Sequence, residues 1–187
     1  MTTDTRETIM AAAKAAVQAH GYNALSFREL AKAVGIKSAS VHYHFPTKGD
    51  LAAALAGRYA DEAAKFLDEL LAVPQEHLSL MKAYTDAFRV ALEDDNKMCL
   101  CGIMSAEYDD LPDHVRAEVD RFTATNTRWL VRVLAGRHPQ ASQKELEARA
   151  LAIFASIEGA QLVARGRKSI QSFDDILSAY TASGLFD

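Results

Sequence analysis

Residues 26–45, SFRELAKAVGIKSASVHYHF, read as two short helices across a glycine turn. Ser26 and Glu29 stand at the spacing of a capping box, in which a hydroxyl and a carboxylate satisfy the free N–H groups of a helix's first turn. Leu25 and Leu30 hold the flanking positions of a hydrophobic staple. The helix started in this way covers 27–34 and stays short, because Gly35 lies where a left-handed C-terminal cap belongs. A second helix, 38–44, ends at the approach to Pro46. Phe27, Leu30, Ala31 and Val34 face inward with Ile36, Val41 and Phe45, which leaves Lys37, Ser38, Ser40, His42, Tyr43 and His44 facing outward. Hydroxyls, imidazoles and a phenol reach phosphate oxygens and base edges in a major groove. Lys48, in the first turn of the next helix, is placed to clamp a phosphate. The expectation is a helix-turn-helix that binds DNA. A solvated helical corner has the same spacing, and composition alone does not separate the two.

Outward from this stretch the pattern stays helical. Pro46, Pro74, Pro112 and Pro139 divide the 187 residues into long segments without an internal proline. Stripes at helical period follow: Leu51, Leu55, Tyr59, Phe66 and Leu70; Met81, Tyr84, Phe88 and Leu92; Val115, Val119, Phe122, Trp129 and Val133; Leu146, Ala150, Ile153, Ile157 and Ala164. Thr47 with Asp50, Ser142 with Glu145 and Ser172 with Asp175 fit or approximate further capping boxes. Strand-type alternation is absent, so the reading is all-α with about nine helices. An N-terminal three-helix domain over 1–50 carries the helix-turn-helix, and a helical body occupies 51–187.

An apolar fraction of 49% and a charged fraction of 25% exclude disordered, collagen-like and disulfide-scaffold classes. No run approaches the ~18 apolar residues of a membrane helix. The opening MTTDTRETIM lacks the apolar core of a signal peptide, and Cys99 and Cys101 are the only cysteines, so the expected location is the cytoplasm, away from membranes. The net charge of −4 argues against nucleic acid until it is divided. Residues 1–50 hold six bases and four acids, a balance of +2, whereas the remainder holds 15 bases and 21 acids, a balance of −6. A basic head on an acidic body suits a nucleic-acid-binding arm.

The segment from Arg6 to Leu51 resembles the DNA-binding domain of TetR/AcrR-family transcriptional regulators. The resemblance rests on Arg6, Ile9, Ala12-Ala13 and Gly21-Tyr22, then Ser26, Leu30-Ala31, Val34-Gly35 and the run His42-Tyr43-His44-Phe45-Pro46-Thr47-Lys48-Gly49-Asp50-Leu51. One departure is His42, which stands where the family frequently has a tyrosine, so the contact made there falls to Tyr43 or to the imidazole. The resemblance implies a homodimer whose two recognition helices enter successive major grooves of a palindromic operator, about 10 bp apart. The candidate DNA-contacting residues are Ser26, Arg28, Lys37, Ser38, Ala39, Ser40, His42, Tyr43, His44, Thr47 and Lys48. It also implies a body that binds a small-molecule effector and dimerises, with release from DNA as the outcome and no cofactor required.

Within the body, Asn126 and Glu158 are polar residues set into apolar stripes, and a buried polar group is either satisfied internally or awaits a ligand. With Tyr84, Phe88, Cys99, Met104, Tyr108, Phe122, Trp129 and Phe154 they make up a candidate effector site, mainly apolar with a few polar handles. Ile153, Ile157, Gln161 and Ala164 with Ile176, Leu177 and Tyr180 are candidates for an intermolecular four-helix bundle; an ordinary intrachain core is the alternative.

Lys97 to Gly102 opens a helix expected to run through Glu107 towards Tyr108, and a thiol at such a start has a lowered pKa. The chain here resembles the electrophile-sensing subgroup of the family, in which a cysteine lies eight residues before the glutamate of an Ala-Glu pair; Cys99 and Glu107 have that spacing. Cys99 is therefore either a reactive sensor or, like Cys101, a small packing residue. A thiol-dependent enzyme built on Cys99 has no partner base in the sequence and leaves the helix-turn-helix unused. The scattered His77, His114 and His138 do not supply a metal site.

Overall fold

The computed structural model describes residues 4–187, and all regular structure among them is helical. Helix α1 (Thr5–His20) is capped by the Asp4 carboxylate, which accepts the Arg6 N–H at 2.9 Å, and closes at Gly21 with φ +86°. Helices α2 (Phe27–Val34) and α3 (Ser38–His44) follow with the bounds the sequence indicates. The Ser26 hydroxyl accepts the Glu29 N–H, and Gly35 adopts the left-handed conformation at φ +77°. Helix α4 (Lys48–Ala72) opens with a reciprocal cap, in which the Thr47 N–H and hydroxyl donate to Asp50 while the Asp50 N–H donates back to the hydroxyl at 3.1 Å. Then come α5 (His77–Glu93), α6 (Leu100–Ser105), a 3-10 turn (Tyr108–Asp110), α7 (Asp113–Arg137), α8 (Gln143–Arg167) and α9 (Ile170–Ala182).

Two local expectations shift. Helix α9 starts earlier than a Ser172–Asp175 cap would place it, because the Ser169 hydroxyl accepts the Ser172 N–H at 3.2 Å and puts Ser172 inside the first turn. Helix α6 ends at Ser105 and does not reach Tyr108. The Ser105 hydroxyl turns back onto the Cys101 carbonyl at 2.8 Å, and the Glu107 side chain is drawn to another segment.

The helices sort into two compact units. One gathers the described residues up to Asp61 with Leu100–Phe122; the other gathers Glu62–Cys99 with Thr123–Asp187. In the first, Ile9, Ala13 and Val17 of α1 are buried, as are Leu30 and Ala31 of α2, Val41 of α3, Leu51 and Leu55 of α4, Met104 of α6 and Val115 of α7. In the second, Tyr84 and Phe88 of α5, Leu130 and Leu134 of α7, Ile153 and Ile157 of α8 and Phe173 of α9 are buried. Each such large apolar side chain contributes about 1.5–3 kcal/mol relative to exposure. Helices α4 and α7 each supply residues to both units. Among the described residues no helix is long and apolar enough to cross a membrane.

Candidate functional site

Helix α3 is positioned by two anchors. Val41, on its inner face, is fully buried, and Phe45 at its end is buried under the Arg6 guanidinium, 5.0 Å from the ring centre. With the inner face fixed, the outer face is committed to solvent. Tyr43 is 85% exposed, and Lys37, Ala39 and His42 are exposed beside it, while Ser38, Ser40 and His44 are half-buried. The His42 ring packs edge-on against Phe27 at 4.8 Å, with Nδ1 3.4 Å from the Pro46 carbonyl oxygen, so its orientation is set. Tyr43 packs edge-on against His44 at 5.2 Å, which leaves the phenol as the most prominent group of the helix. Arg28 and Thr47 are exposed at its flanks, whereas Ser26 is occupied in capping α2.

Lys48 is placed differently from a free surface clamp. Its ammonium lies over the Tyr22 ring, 4.1 Å from the centre, and donates to the Asn23 carbonyl at 3.3 Å. Burial lowers its pKa, and the carboxylates of Glu107 and Asp110 oppose that shift. Glu107 is central to this corner: its carboxylate accepts the N–H of Tyr22 and the N–H of Asn23, while Asn23 Nδ2 donates to Asp110 at 2.7 Å. The loop between α1 and α2 is therefore held by residues that follow it by more than eighty positions. Sequence reading missed this tie, and nothing near Tyr22 signals it. A Cβ at Gly21 would stand 2.6 Å from a Glu107 carboxylate oxygen.

A second cluster forms inside the other unit. Tyr84 of α5 is fully buried and donates its hydroxyl to Asn126 Oδ1 of α7 at 3.1 Å. Its ring lies 4.7 Å from Trp129 and 5.5 Å from Phe88, and Phe88 lies 6.3 Å from Phe154 of α8. The Trp129 indole N–H donates to the Leu67 carbonyl at 2.8 Å. Gln161 of α8 bridges inside the same core: its Oε1 accepts the Cys99 N–H at 2.8 Å, and its Nε2 donates to the Phe88 carbonyl at 2.7 Å. Neither oxygen of the Glu158 carboxylate reaches solvent or has a hydrogen-bond partner of good geometry. Burial raises its pKa to about 7, slightly offset by the neighbouring Cys99 thiol. Burial also pushes the Tyr84 phenol well up, and the nearby Glu158 and Cys99 add to that.

Of the candidate effector residues, Tyr84, Phe88, Cys99, Asn126, Trp129, Phe154 and Glu158 belong to this unit, whereas Met104, Tyr108 and Phe122 belong to the other. There Met104 is core, the Tyr108 hydroxyl donates to Asp120 at 2.8 Å, and Phe122 packs against Tyr59 at 5.2 Å. Both cysteines are buried, and neither is in a disulfide.

On α8, Ile153, Ile157, Gln161 and Ala164 point into the chain's own core. The apolar residues it exposes are Leu151, Leu162 and Val163, with Ala152 and Ala155 on the surface beside them. Ile176 and Tyr180 of α9 are half-buried, with Tyr180 packed on Phe186 at 6.2 Å. Leu177 lines an open groove of about 730 Å³ between α5 and α9, beside the bidentate Arg89–Asp174 ion pair.

Residues 9–55 match the family model for bacterial regulatory proteins of the tetR family. Over 98% of its length the chain is similar to a TetR transcriptional regulator from Legionella pneumophila, of which 99% is covered, at 29% identity and a TM-score of 0.90. A TetR-family transcriptional regulator from Agrobacterium tumefaciens is similar at 29% identity and a TM-score of 0.84, over 92% of this chain and 93% of that one. The reduced form of Escherichia coli NemR shares the fold at a TM-score of 0.78 and 23% identity, over 94% of this chain and 95% of that one. No curated protein sequence matches the chain.

Proposed function

We propose that this chain, which belongs to the TetR family of bacterial regulators, is a repressor that binds a palindromic operator as a homodimer and releases it when a small molecule occupies the buried cluster around Tyr84 and Glu158. The observation that carries the DNA-binding part is helix α3, whose inner face is locked by Val41 and Phe45 while Lys37, His42 and Tyr43 stand exposed along the outside. A short helix rigidly seated on one side and bearing donors on the other is what direct readout in a major groove requires.

The effector reading is supported by the unspent carboxylate of Glu158 within a cluster of aromatic rings. Helix α7 carries Asn126 and Trp129 and is continuous with residues 113–122 of the other unit, so displacement of that helix by a ligand has a covalent route to the DNA-binding head. Such a ligand shifts the balance only as far as it binds the released state more tightly. For dimerisation, the exposed Leu151, Ala155, Leu162 and Val163 of α8 offer a self-complementary apolar face, with Ile176 and Tyr180 of α9 alongside. The burial of Cys99 beside Glu158 makes its thiol part of the effector site and not an exposed trap for oxidants.

Fluorescence anisotropy with a labelled operator tests this reading. Tight, salt-sensitive binding with a stoichiometry of two chains per palindrome is the expected result. Binding to random DNA with equal affinity contradicts it.

A further inference from the structure

The polar valences of the core around Tyr84 do not balance, and the imbalance has a sign. The Tyr84 hydroxyl donates to Asn126, and the Trp129 indole donates to Leu67. The Gln161 amide is occupied at both ends by Phe88 and Cys99. The Tyr84, Trp129 and Gln161 donors are thus committed inside the protein. What remains is the Glu158 carboxyl group, whose two oxygens are shielded from solvent and have only the weak Cys99 thiol for a polar neighbour. Burial and the Cys99 thiol act on that carboxyl group. The carboxyl group acts on Tyr84, whose ring packs on those of Phe88 and Trp129, while Phe88 packs in turn on Phe154.

Once ionised, a carboxylate set among committed donors repels anions and gains little from a neutral acceptor such as a ketone. It favours a ligand that brings N–H donors and positive charge, and aromatic faces reinforce the same choice through cation–π attraction. We propose that Glu158 is the charge-recognition residue of the effector site and that the effector class is an aromatic or alkyl ammonium ion, its nitrogen on the Glu158 carboxylate and its apolar body against the Phe88, Phe154 and Trp129 rings. The proposal rests on the reading of this cluster as an effector site and names the chemistry of its ligand.

The chain contains a single tryptophan, Trp129, which lies in the cluster and reports on it through its own fluorescence. The probes are 4-phenylbutylammonium and its neutral counterpart 4-phenylbutan-1-ol, each titrated into the full-length protein while Trp129 emission and the heat of binding are followed. The wild-type chain is expected to bind the ammonium ion more tightly than the alcohol. Glu158→Gln keeps the shape and removes the charge; it is expected to weaken the ammonium ion roughly 10- to 100-fold and to leave the alcohol within about twofold.

Equal or tighter binding of the alcohol by the wild-type chain overturns the proposal, and this comparison needs no variant. So does undiminished ammonium binding by Glu158→Gln, or failure of the ammonium ion to perturb Trp129 at all. A parallel DNA-release assay separates the two levels. Charge-dependent binding that leaves the operator complex intact supports the ligand class and defeats the effector reading. Release of DNA by the alcohol but not by the ammonium ion does the reverse.

Discussion

The Lys48 ammonium sits 4.1 Å from the centre of the Tyr22 ring and 3.3 Å from the Asn23 carbonyl oxygen. A lysine that reads in the sequence as a phosphate clamp is here a strut between the start of α4 and the loop after α1. Lys48→Ala is therefore expected to cost about 1 kcal/mol of stability, the scale of a partly desolvated cation–π contact. Its effect on the salt dependence of DNA binding should be well under one phosphate contact, whereas Lys37→Ala should reduce the slope by about one. Urea unfolding and binding at several salt concentrations check both. A full-unit change in slope at unchanged stability for Lys48→Ala would restore the phosphate role.

Gly21 and Glu107 form a coupled pair. Alanine at 21 would be strained at φ +86° and would press its Cβ against the Glu107 carboxylate at 2.6 Å, so Gly21→Ala should destabilise by about 1–3 kcal/mol. Glu107→Ala strips the Tyr22 and Asn23 N–H groups of their acceptor, at about 1–2 kcal/mol. The double variant should lose less than the two single losses together, because the clash disappears with the carboxylate while the backbone strain remains. Strict additivity in a double-mutant cycle would show that the two do not meet.

Glu158 makes stability depend on pH. Its carboxyl holds a proton up to about 7 in the folded chain, against an ordinary 4.5, so between those values the folded state binds more protons than the unfolded state. Stability conferred by this group is thus complete below about pH 4.5, declines as pH rises, and has lost about 3 kcal/mol by pH 8. Glu158→Gln should be more stable than the wild type at pH 8 and should flatten this part of the profile. Parallel profiles for the two proteins from pH 5 to 8 would contradict the burial of an unpaired carboxylate.

The two faces of α8 should respond to substitution in opposite ways. Ile157 is fully buried, so Ile157→Ala should cost about 2–5 kcal/mol through transfer and cavity terms. Leu162 is 59% exposed, so Leu162→Lys should barely alter unfolding of the single chain yet shift the protein towards monomer by light scattering. An unchanged dimer for Leu162→Lys would move the interface elsewhere.

These cases show where sequence was informative. Helices α2 and α3 were legible to the residue because their boundaries are written locally, in Ser26, Gly35 and Pro46. The outward set on α3 followed from the same short period. The stripes of α8 gave the period but not which neighbour would cover it: Ile153, Ile157 and Ala164 form a face that suits a partner chain as well as an intrachain core, and the covering helix decides. Asn126 and Glu158 stood out as polar residues in apolar stripes, yet only the structure separates them, since Asn126 accepts the Tyr84 hydroxyl and Glu158 has no partner of good geometry. The Glu107 tie was out of reach because its partners are backbone N–H groups, which every residue but proline possesses.

Selection of bound sequences from a random double-stranded pool, run in parallel with the wild-type chain, Tyr43→Ala and Lys37→Ala, tests the central claim most directly. The account predicts that the wild type enriches one palindrome with half-sites about one helical turn, ~10 bp, apart, and that Tyr43→Ala relaxes the preference at discrete positions within each half-site. Enrichment of no sequence by the wild type, or of the same sequence with the same stringency by Tyr43→Ala and Lys37→Ala alike, would contradict the assignment of α3 as the reading helix.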